Sequence, residues 1–218
     1  LAPKEGLTIV HDSHAYENLV FDIGGFMLEV EAHIGPPGVC AIAIEDVLAR
    51  ATRHDSTFGF SCLEPDVHDH ALVLAVNAFK DKLVDALPYA LVDLDRIVRL
   101  PEFSPERFAD LAKEGRVTTL VWIVAEWLAS KSDALGLEKD RWLEIEAALG
   151  PPPRESYARI MLRALESAAA KRASFLERNA LRLGARASSD SLRSCARALR
   201  GAALHVAEST FGSGPQLK

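Results

Sequence analysis

Alternating apolar and polar residues mark the first 40 positions of the chain. Two such runs, Asn18–Ile23 and Phe26–Ile34, flank Gly24-Gly25. Alternation with a period of two is typical of β-strands, and a glycine pair tolerates the positive φ angles of a tight hairpin turn. The pattern therefore predicts an antiparallel hairpin whose first cross-strand pair lies next to the glycines. The Gly-Pro-Pro-Gly segment Gly35–Gly38 is predicted to end the sheet.

Beyond the sheet, apolar residues recur every three or four positions, which indicates helices. Phe58–Glu64 lacks this spacing and is predicted to be a loop. The most apolar helix, Val117–Ser130, is predicted to be central, and its inward positions are Val117, Leu120, Val121, Val124 and Leu128. The predicted helices are Ile42–Thr52, Val67–Leu83, Pro88–Leu100, Pro105–Glu114, Val117–Ser130, Lys139–Leu149, Arg154–Leu183 and Ser189–Glu208.

These elements predict an α+β fold, in which a short antiparallel sheet (hairpin) is followed by a mostly helical bundle. Gly150 and the three prolines after it form the clearest internal boundary. We therefore expect three parts, which are a sheet in residues 1–40, a helical bundle in 41–150 and a helical extension in 151–218.

Charge is distributed unevenly between these parts. Residues 1–150 carry 13 Lys or Arg against 26 Asp or Glu, whereas residues 151–218 carry 12 against 5. The basic extension either docks on the acidic body of its own chain or binds an anion. Arg178, Arg182 and Arg186 follow helical spacing and are weak candidates for anion binding. Nucleic-acid binding is not expected, because only Phe175 lies near these arginines to stack on a base.

Cysteine content and hydropathy bear on the compartment. The three cysteines are far apart and form no Cys-x-x-Cys pair. This spacing argues against a disulfide framework and favours a reducing cytoplasm. The apolar runs are much shorter than the roughly 20 residues that cross a bilayer, so we expect no membrane span. The first residues do not resemble a signal peptide.

The polar face of the predicted hairpin is rich in carboxylates. If the hairpin turns at Gly24-Gly25, Asp22, Glu29 and Glu31 share one face of the sheet. Crowded carboxylates repel one another, which either raises a pKa or recruits a cation, and oxygen ligands suit Mg²⁺. The alternative is an ordinary solvated face, which antiparallel sheets commonly have.

Other polar pairs carry weaker signals. His11 and His14 would need a helix to reach one metal ion, and His68 and His70 point apart at the start of a helix. Asp12-Ser13-His14 is discounted as a catalytic triad, because triad partners are usually distant in sequence. Asp93 and Asp95 diverge within a predicted helix, so a solvated helix face is expected there.

Several segments together resemble one known family. Val30-Glu31-Ala32-His33 resembles a Val-Glu-Leu-His strand of an uncharacterised bacterial nucleotidyltransferase family, which belongs to the polymerase-β-like nucleotidyltransferase superfamily. The proline-led segment Pro65–Lys80 and the sequence Leu91-Val92-Asp93-Leu94 are similar to two helices of that family. The resemblance covers roughly residues 15–130.

The resemblance implies Mg²⁺-dependent transfer of a nucleoside monophosphate from a nucleoside triphosphate to an unknown acceptor. Glu31 would be the third metal carboxylate of the family. The family's Gly-Ser motif and Asp-x-Asp pair are absent from residues 1–24, and Asn77 and Asp81 stand where histidines are expected. The chain is therefore expected to be either an N-terminally truncated enzyme or a degenerate member of the family, and we expect transfer only when sequence upstream of Leu1 supplies the missing motif. The alternative is a non-enzymatic helical protein-interaction module.

Overall fold

A small antiparallel sheet precedes a helical bundle, which is the predicted α+β fold. The computed structural model describes residues 8–13, 18–23, 26–55, 61–79, 87–169, 181 and 183–211. The sheet is ordered β1 (Thr8–Ser13), β2 (Asn18–Ile23) and β3 (Phe26–Glu31). A separate antiparallel hairpin consists of β4 (Thr52–Asp55) and β5 (Ser61–Glu64).

Local capping determines where several helices begin. Asp66 accepts a hydrogen bond from the backbone N–H of His68, and the hydroxyl of Ser104 accepts one from the N–H of Arg107. Such caps satisfy amides that have no partner within the helix. The described helices are α1 (Ile44–Arg50), α2 (Val67–Asn77), α3 (Leu87–Val98), α4 (Pro105–Glu114), α5 (Thr118–Leu135), α6 (Lys139–Leu149), α7 (Glu155–Ala169) and α8 (Leu192–Phe211).

Helix α5 lies at the centre of the bundle and packs against α2, α4, α6 and α7. The predicted inward phase of this helix is confirmed, because the five residues are at most 2% exposed. Helices α4 and α6 have the predicted bounds. Helix α2 is described over Val67–Asn77, and its predicted end at Leu83 lies outside the described residues.

The prediction of a loop at Phe58–Glu64 was wrong for its second half. Ser61–Glu64 forms strand β5, which pairs with β4 in the register Thr52–Glu64 to Asp55–Ser61. All eight residues of this hairpin are exposed. It therefore lacks the alternation of buried and exposed positions by which a strand is recognised in sequence.

The segment after β3 connects the sheet to the helical core. His33 forms an isolated bridge with Ala43, and the buried side chains of Ile34, Val39 and Ile42 belong to the same apolar cluster as the bundle. Gly35 has a φ of +70°, and a Cβ there would come within 2.6 Å of Val76 on α2. The Gly-Pro-Pro-Gly segment thus allows the chain to turn against the bundle.

The C-terminal segment is tied to the start of α5. The carboxylate of Asp190 accepts hydrogen bonds from the backbone N–H groups of Thr118 and Thr119, at 2.7 and 3.1 Å. Arg154 donates to the carbonyl oxygens of Ala187 and Ser189. Residues from the predicted extension thus complete the N-terminus of the central helix. Within the described residues, no helix is both long and apolar enough to cross a membrane.

Candidate functional sites

The N-terminal hairpin brings the three predicted carboxylate positions to one face. Cross-strand partners lie on the same side of a sheet, and alternate residues of a strand share a face. In strand β1, His11 is the register partner of Val20. His14 lies outside the described residues. The register matches the prediction, and the relevant pairs are Asn18 with Glu31, Val20 with Glu29, and Asp22 with Met27.

This face offers the donor type that Mg²⁺ prefers, namely carboxylate oxygen. Asp22 and Glu31 are half-buried, while the side chain of Glu29 lies outside the described set. Among the side chains that the structure describes, no three His, Cys, Asp or Glu residues are grouped closely enough to hold a metal ion. The donor chemistry therefore fits Mg²⁺, but the described side chains do not supply a complete ligand set.

His68 has a structural role at the junction of α2 and α4. Its Nε2 atom accepts a hydrogen bond of 3.0 Å from the N–H of Ser104, so the ring proton lies on Nδ1. Nδ1 donates to Asp66 at 2.8 Å. Burial opposes ionisation of Asp66, but hydrogen bonds from the ring and the N–H of His68 outweigh it and lower the pKa of Asp66. Both ring nitrogens are thus engaged, and neither is available to a metal.

A cleft of about 340 Å³ lies beside this junction and is lined by residues of α1, β5, α2 and α3. Its polar lining includes Arg50, Glu64 and the exposed His70. Arg50 donates two hydrogen bonds of 2.7 Å to the fully buried carboxylate of Asp69. This bidentate pair fixes Arg50 in place, because breaking a buried pair leaves an uncompensated charge.

The Asp93 and Asp95 pair separates into two different environments. Asp93 is exposed, as predicted, but the prediction was wrong for Asp95, which is 3% exposed. Asp95 accepts a hydrogen bond from the indole Nε1 of Trp142 at 2.9 Å and forms an ion pair with Arg99. Burial of this carboxylate therefore depends on an aromatic residue 47 positions further along the chain.

A second cleft, of about 480 Å³, lies between α5, α6 and α7. Glu146 lines it and shares a hydrogen bond with Glu126 of α5. Burial, together with this contact between two carboxyl groups, raises the pKa of Glu146 to about 7. This pair was not predicted, because Glu126 and Glu146 belong to no sequence motif. The only signal was Gly150-Pro-Pro-Pro, which ends α6 and forms part of the wall.

The described residues include only one of the three weak anion-binding candidates. Arg178 and Arg182 lie outside the described residues, and Arg186 is half-buried. Arg193, Arg197 and Arg200 are exposed on α8. The described contacts between the C-terminal segment and the bundle instead use Asp190 and Arg154.

The cysteines remain free thiols. Cys62 is exposed, Cys195 is buried, and burial raises the pKa of the Cys40 thiol to about 11. Cys40 is therefore a poor nucleophile at neutral pH.

A comparison of the whole chain with protein-family models, curated proteins and solved structures found no match.

Proposed function

We propose that this chain is a nucleotidyltransferase-like protein that takes part in Mg²⁺-dependent transfer of a nucleoside monophosphate from a nucleoside triphosphate to an acceptor. The observation that carries the proposal is the hairpin register, which gives Asp22, Glu29 and Glu31 one sheet face. Glu31 is also the residue that the family resemblance equates with a metal carboxylate. Two independent arguments therefore converge on Glu31.

The chemistry assigned to this face is electrostatic. When bound, Mg²⁺ would neutralise negative charge on the triphosphate. Glu31 and its neighbours Asp22 and Glu29 would hold the cation through carboxylate oxygens. Because the described side chains do not supply a complete ligand set, we expect residues 1–218 alone to bind divalent cations weakly and to transfer no nucleotide.

The helical bundle would hold the nucleotide or the acceptor. Leu91 and Leu94 of the family-like Leu-Val-Asp-Leu sequence are buried in α3, while Asp93 is exposed. This arrangement supports a role for the two leucines in packing and leaves Asp93 accessible to a ligand. A reducing cytoplasm is the compartment that we propose, since the cysteines are free thiols.

The test is Mg²⁺-dependent incorporation of label from an α-labelled nucleoside triphosphate. The 218-residue chain should be inactive, whereas the product of the complete gene should be active. In that product, Glu31→Ala should lower the rate by at least about 100-fold, since loss of residues that only support metal ligands costs about 10–100-fold. Glu45→Ala, which removes an exposed carboxylate from α1, is the matched control.

Two results would contradict the proposal. A complete gene product that is active and unaffected by Glu31→Ala would remove Glu31 from the mechanism. A complete gene product without the Gly-Ser and Asp-x-Asp motifs would favour the non-enzymatic interaction module instead.

One observation favours that second candidate. Ile9, Leu28 and Val30 share the opposite face of the sheet and are 46–49% exposed. Contiguous exposed apolar residues on a sheet commonly mark a protein contact. An interaction module would use this face, so Leu28→Asp would abolish partner binding and leave any nucleotide transfer intact.

A further inference from the structure

Helix α8 carries a row of arginines without ion-pair partners among the described residues. Arg193, Arg197 and Arg200 are exposed, and the guanidinium group of none of them contacts another described residue through an ion pair or a hydrogen bond. Their spacing of three or four residues places them on one side of the helix. Cys195 and Ala198 lie on the buried side. The acidic body of the same chain therefore does not neutralise this basic face, which stays available to a second molecule.

The residue that precedes this row is apolar and strongly exposed. Leu192 is 77% exposed, which is the highest value among the large apolar side chains that the structure describes. A single exposed leucine is common on protein surfaces. Its position directly before Arg193, however, gives the start of α8 an apolar group beside a positive charge. Protein interfaces combine these two features, with apolar contacts at the centre and charged residues at the rim.

A face of opposite charge lies on α6. Asp140, Glu144 and the leucine between them, Leu143, are exposed and share one side of this helix with the exposed Ala147. The carboxylate of Asp140 forms no ion pair with a described residue, and that of Glu144 pairs with the half-buried Arg141 at 2.7 Å. This side of α6 thus presents two carboxylates around an apolar residue that is 45% exposed.

An apolar cleft opens beside this face of α6. It has a volume of about 480 Å³, and Leu143, Ala147 and the half-buried indole of Trp122 form part of its lining. The charged residues that line it are Glu146, Glu155 and Arg159. The last two pair with each other at 3.0 Å. The cleft is therefore large enough for a leucine side chain and offers it apolar surface.

We propose that α8 of one copy of this chain docks antiparallel on α6 of a second copy. The register is the one that opposes Arg193 to Glu144. Arg197 then lies opposite Asp140, because both pairs of residues are four positions apart, which is about 6 Å of helix rise. In this antiparallel arrangement Leu192 lies on the side of α6 that borders the cleft, and its side chain enters the cleft of the second copy.

Charge segregation along the chain identifies the second copy as the partner. Residues 1–150, which include α6, carry 13 basic and 26 acidic residues, whereas residues 151–218, which include α8, carry 12 and 5. Two copies therefore attract each other through unlike parts, although each has a net charge of −6. The arginines set the register and speed the encounter, while the buried leucine contributes affinity.

The experiment is sedimentation velocity of the full chain over a range of protein concentrations. The chain should self-associate, and the dissociation constant should rise at least about 3-fold between about 0.05 and about 0.5 M NaCl, because salt screens the ion pairs. Arg197→Glu should raise it at least about 10-fold, since it opposes two negative charges. The matched control is Arg96→Glu, which makes the same change at an exposed arginine that pairs with Asp93 on α3 and should have no effect.

A charge swap tests the register directly. Asp140→Arg alone should weaken self-association as Arg197→Glu does, and the two changes together should restore the dissociation constant to within about 3-fold, because partners that touch are not additive. Leu192→Asp should weaken association at least about 10-fold, since it removes the apolar anchor. Leu48→Asp, at a leucine of α1 that is 49% exposed, is its control and should leave association unchanged.

Four results would overturn the proposal. They are a chain that stays monomeric up to about 1 mM, a charge swap that restores nothing, equal effects of Leu192→Asp and Leu48→Asp, and self-association that Leu28→Asp abolishes instead. The last result would place the contact on the apolar face of the sheet. Rescue by the charge swap cannot arise from a variant that fails to fold. The sheet face that carries Glu31 takes no part in this contact, so failure of the proposal leaves the nucleotidyltransferase proposal untouched.

Discussion

The helical bundle and the N-terminal sheet both contain apolar residues along one face of their elements, yet these faces differ in burial. Leu120 and Leu128 of α5 are at most 1% exposed, because neighbouring helices cover the face of α5 on which they lie. In the sheet, Leu28 and Val30 of β3 remain 46% exposed. Hydrophobic pattern thus predicts which residues share a face, whereas burial depends on whether another layer of structure covers that face.

This difference separates two sources of stability. Burial of apolar surface stabilises the bundle, at about 25 cal/mol for each Å² removed from water. The sheet depends more on its backbone ladder, since β2 pairs with β1 on one side and with β3 on the other. Substitutions should therefore have large effects in the bundle and small effects in the sheet.

The largest expected effect is that of Leu128→Ala, which removes a fully buried side chain from α5. We expect the free energy of unfolding to fall by about 4 kcal/mol, the sum of lost burial and a residual cavity. Leu28→Ala makes the same chemical change in the sheet and should lower the free energy of unfolding by less than about 1 kcal/mol. Urea denaturation followed by circular dichroism measures the free energy of unfolding of both variants. Similar losses in the two variants would contradict the expected difference between the bundle and the sheet.

A slightly smaller effect is expected for Asp95→Ala within the bundle. This change leaves the indole N–H of Trp142 without its acceptor and leaves Arg99 without its buried partner. The free energy of unfolding should fall by about 3 kcal/mol, which is typical of a broken buried ion pair. The control is Asp93→Ala on the same helix, which is exposed and should change little. Equal midpoints of thermal unfolding for the two variants would show that Asp95 is not structurally engaged.

The smallest of the three effects is expected for Asp190→Ala. Loss of its carboxylate removes the hydrogen bonds to the N–H groups of Thr118 and Thr119. Loss of a helix cap of this kind costs about 1–2 kcal/mol. Asp133→Ala, at a carboxylate that is 87% exposed, provides the baseline. Hydrogen exchange of the first-turn amides of α5 should accelerate in the Asp190 variant alone, and unchanged protection would exclude the capping role.

Local signals explain which elements could be predicted. Helix α4 has the predicted bounds because Ser104 caps it and Pro105 occupies its first position. The hairpin register was predictable because alternation and Gly24-Gly25 act on adjacent residues. Strand β5 could not be predicted in this way, because both strands of its hairpin are exposed throughout.

The candidate sites also differ in whether local sequence or helix packing brings their residues together. Asp22, Glu29 and Glu31 could be placed on one face because strand geometry alone relates them. Glu126 and Glu146 meet only when α5 packs against α6, so no local pattern reveals their contact. Contacts between side chains on different helices form only when the helices pack. They therefore cannot be predicted from a single sequence that contains no motif for them.

The cap that Asp190 provides has a consequence for how the chain is made. The acceptor lies 72 residues beyond the amide of Thr118 that it satisfies. Ribosomes add about 5–20 residues per second, so Asp190 is synthesised about 4–14 s after Thr118. During this interval the start of the central helix has no cap. Until then its first amides have only water as a partner. The bundle is therefore completed after synthesis has passed Asp190, and a nascent chain that ends before this residue carries an unfinished central helix.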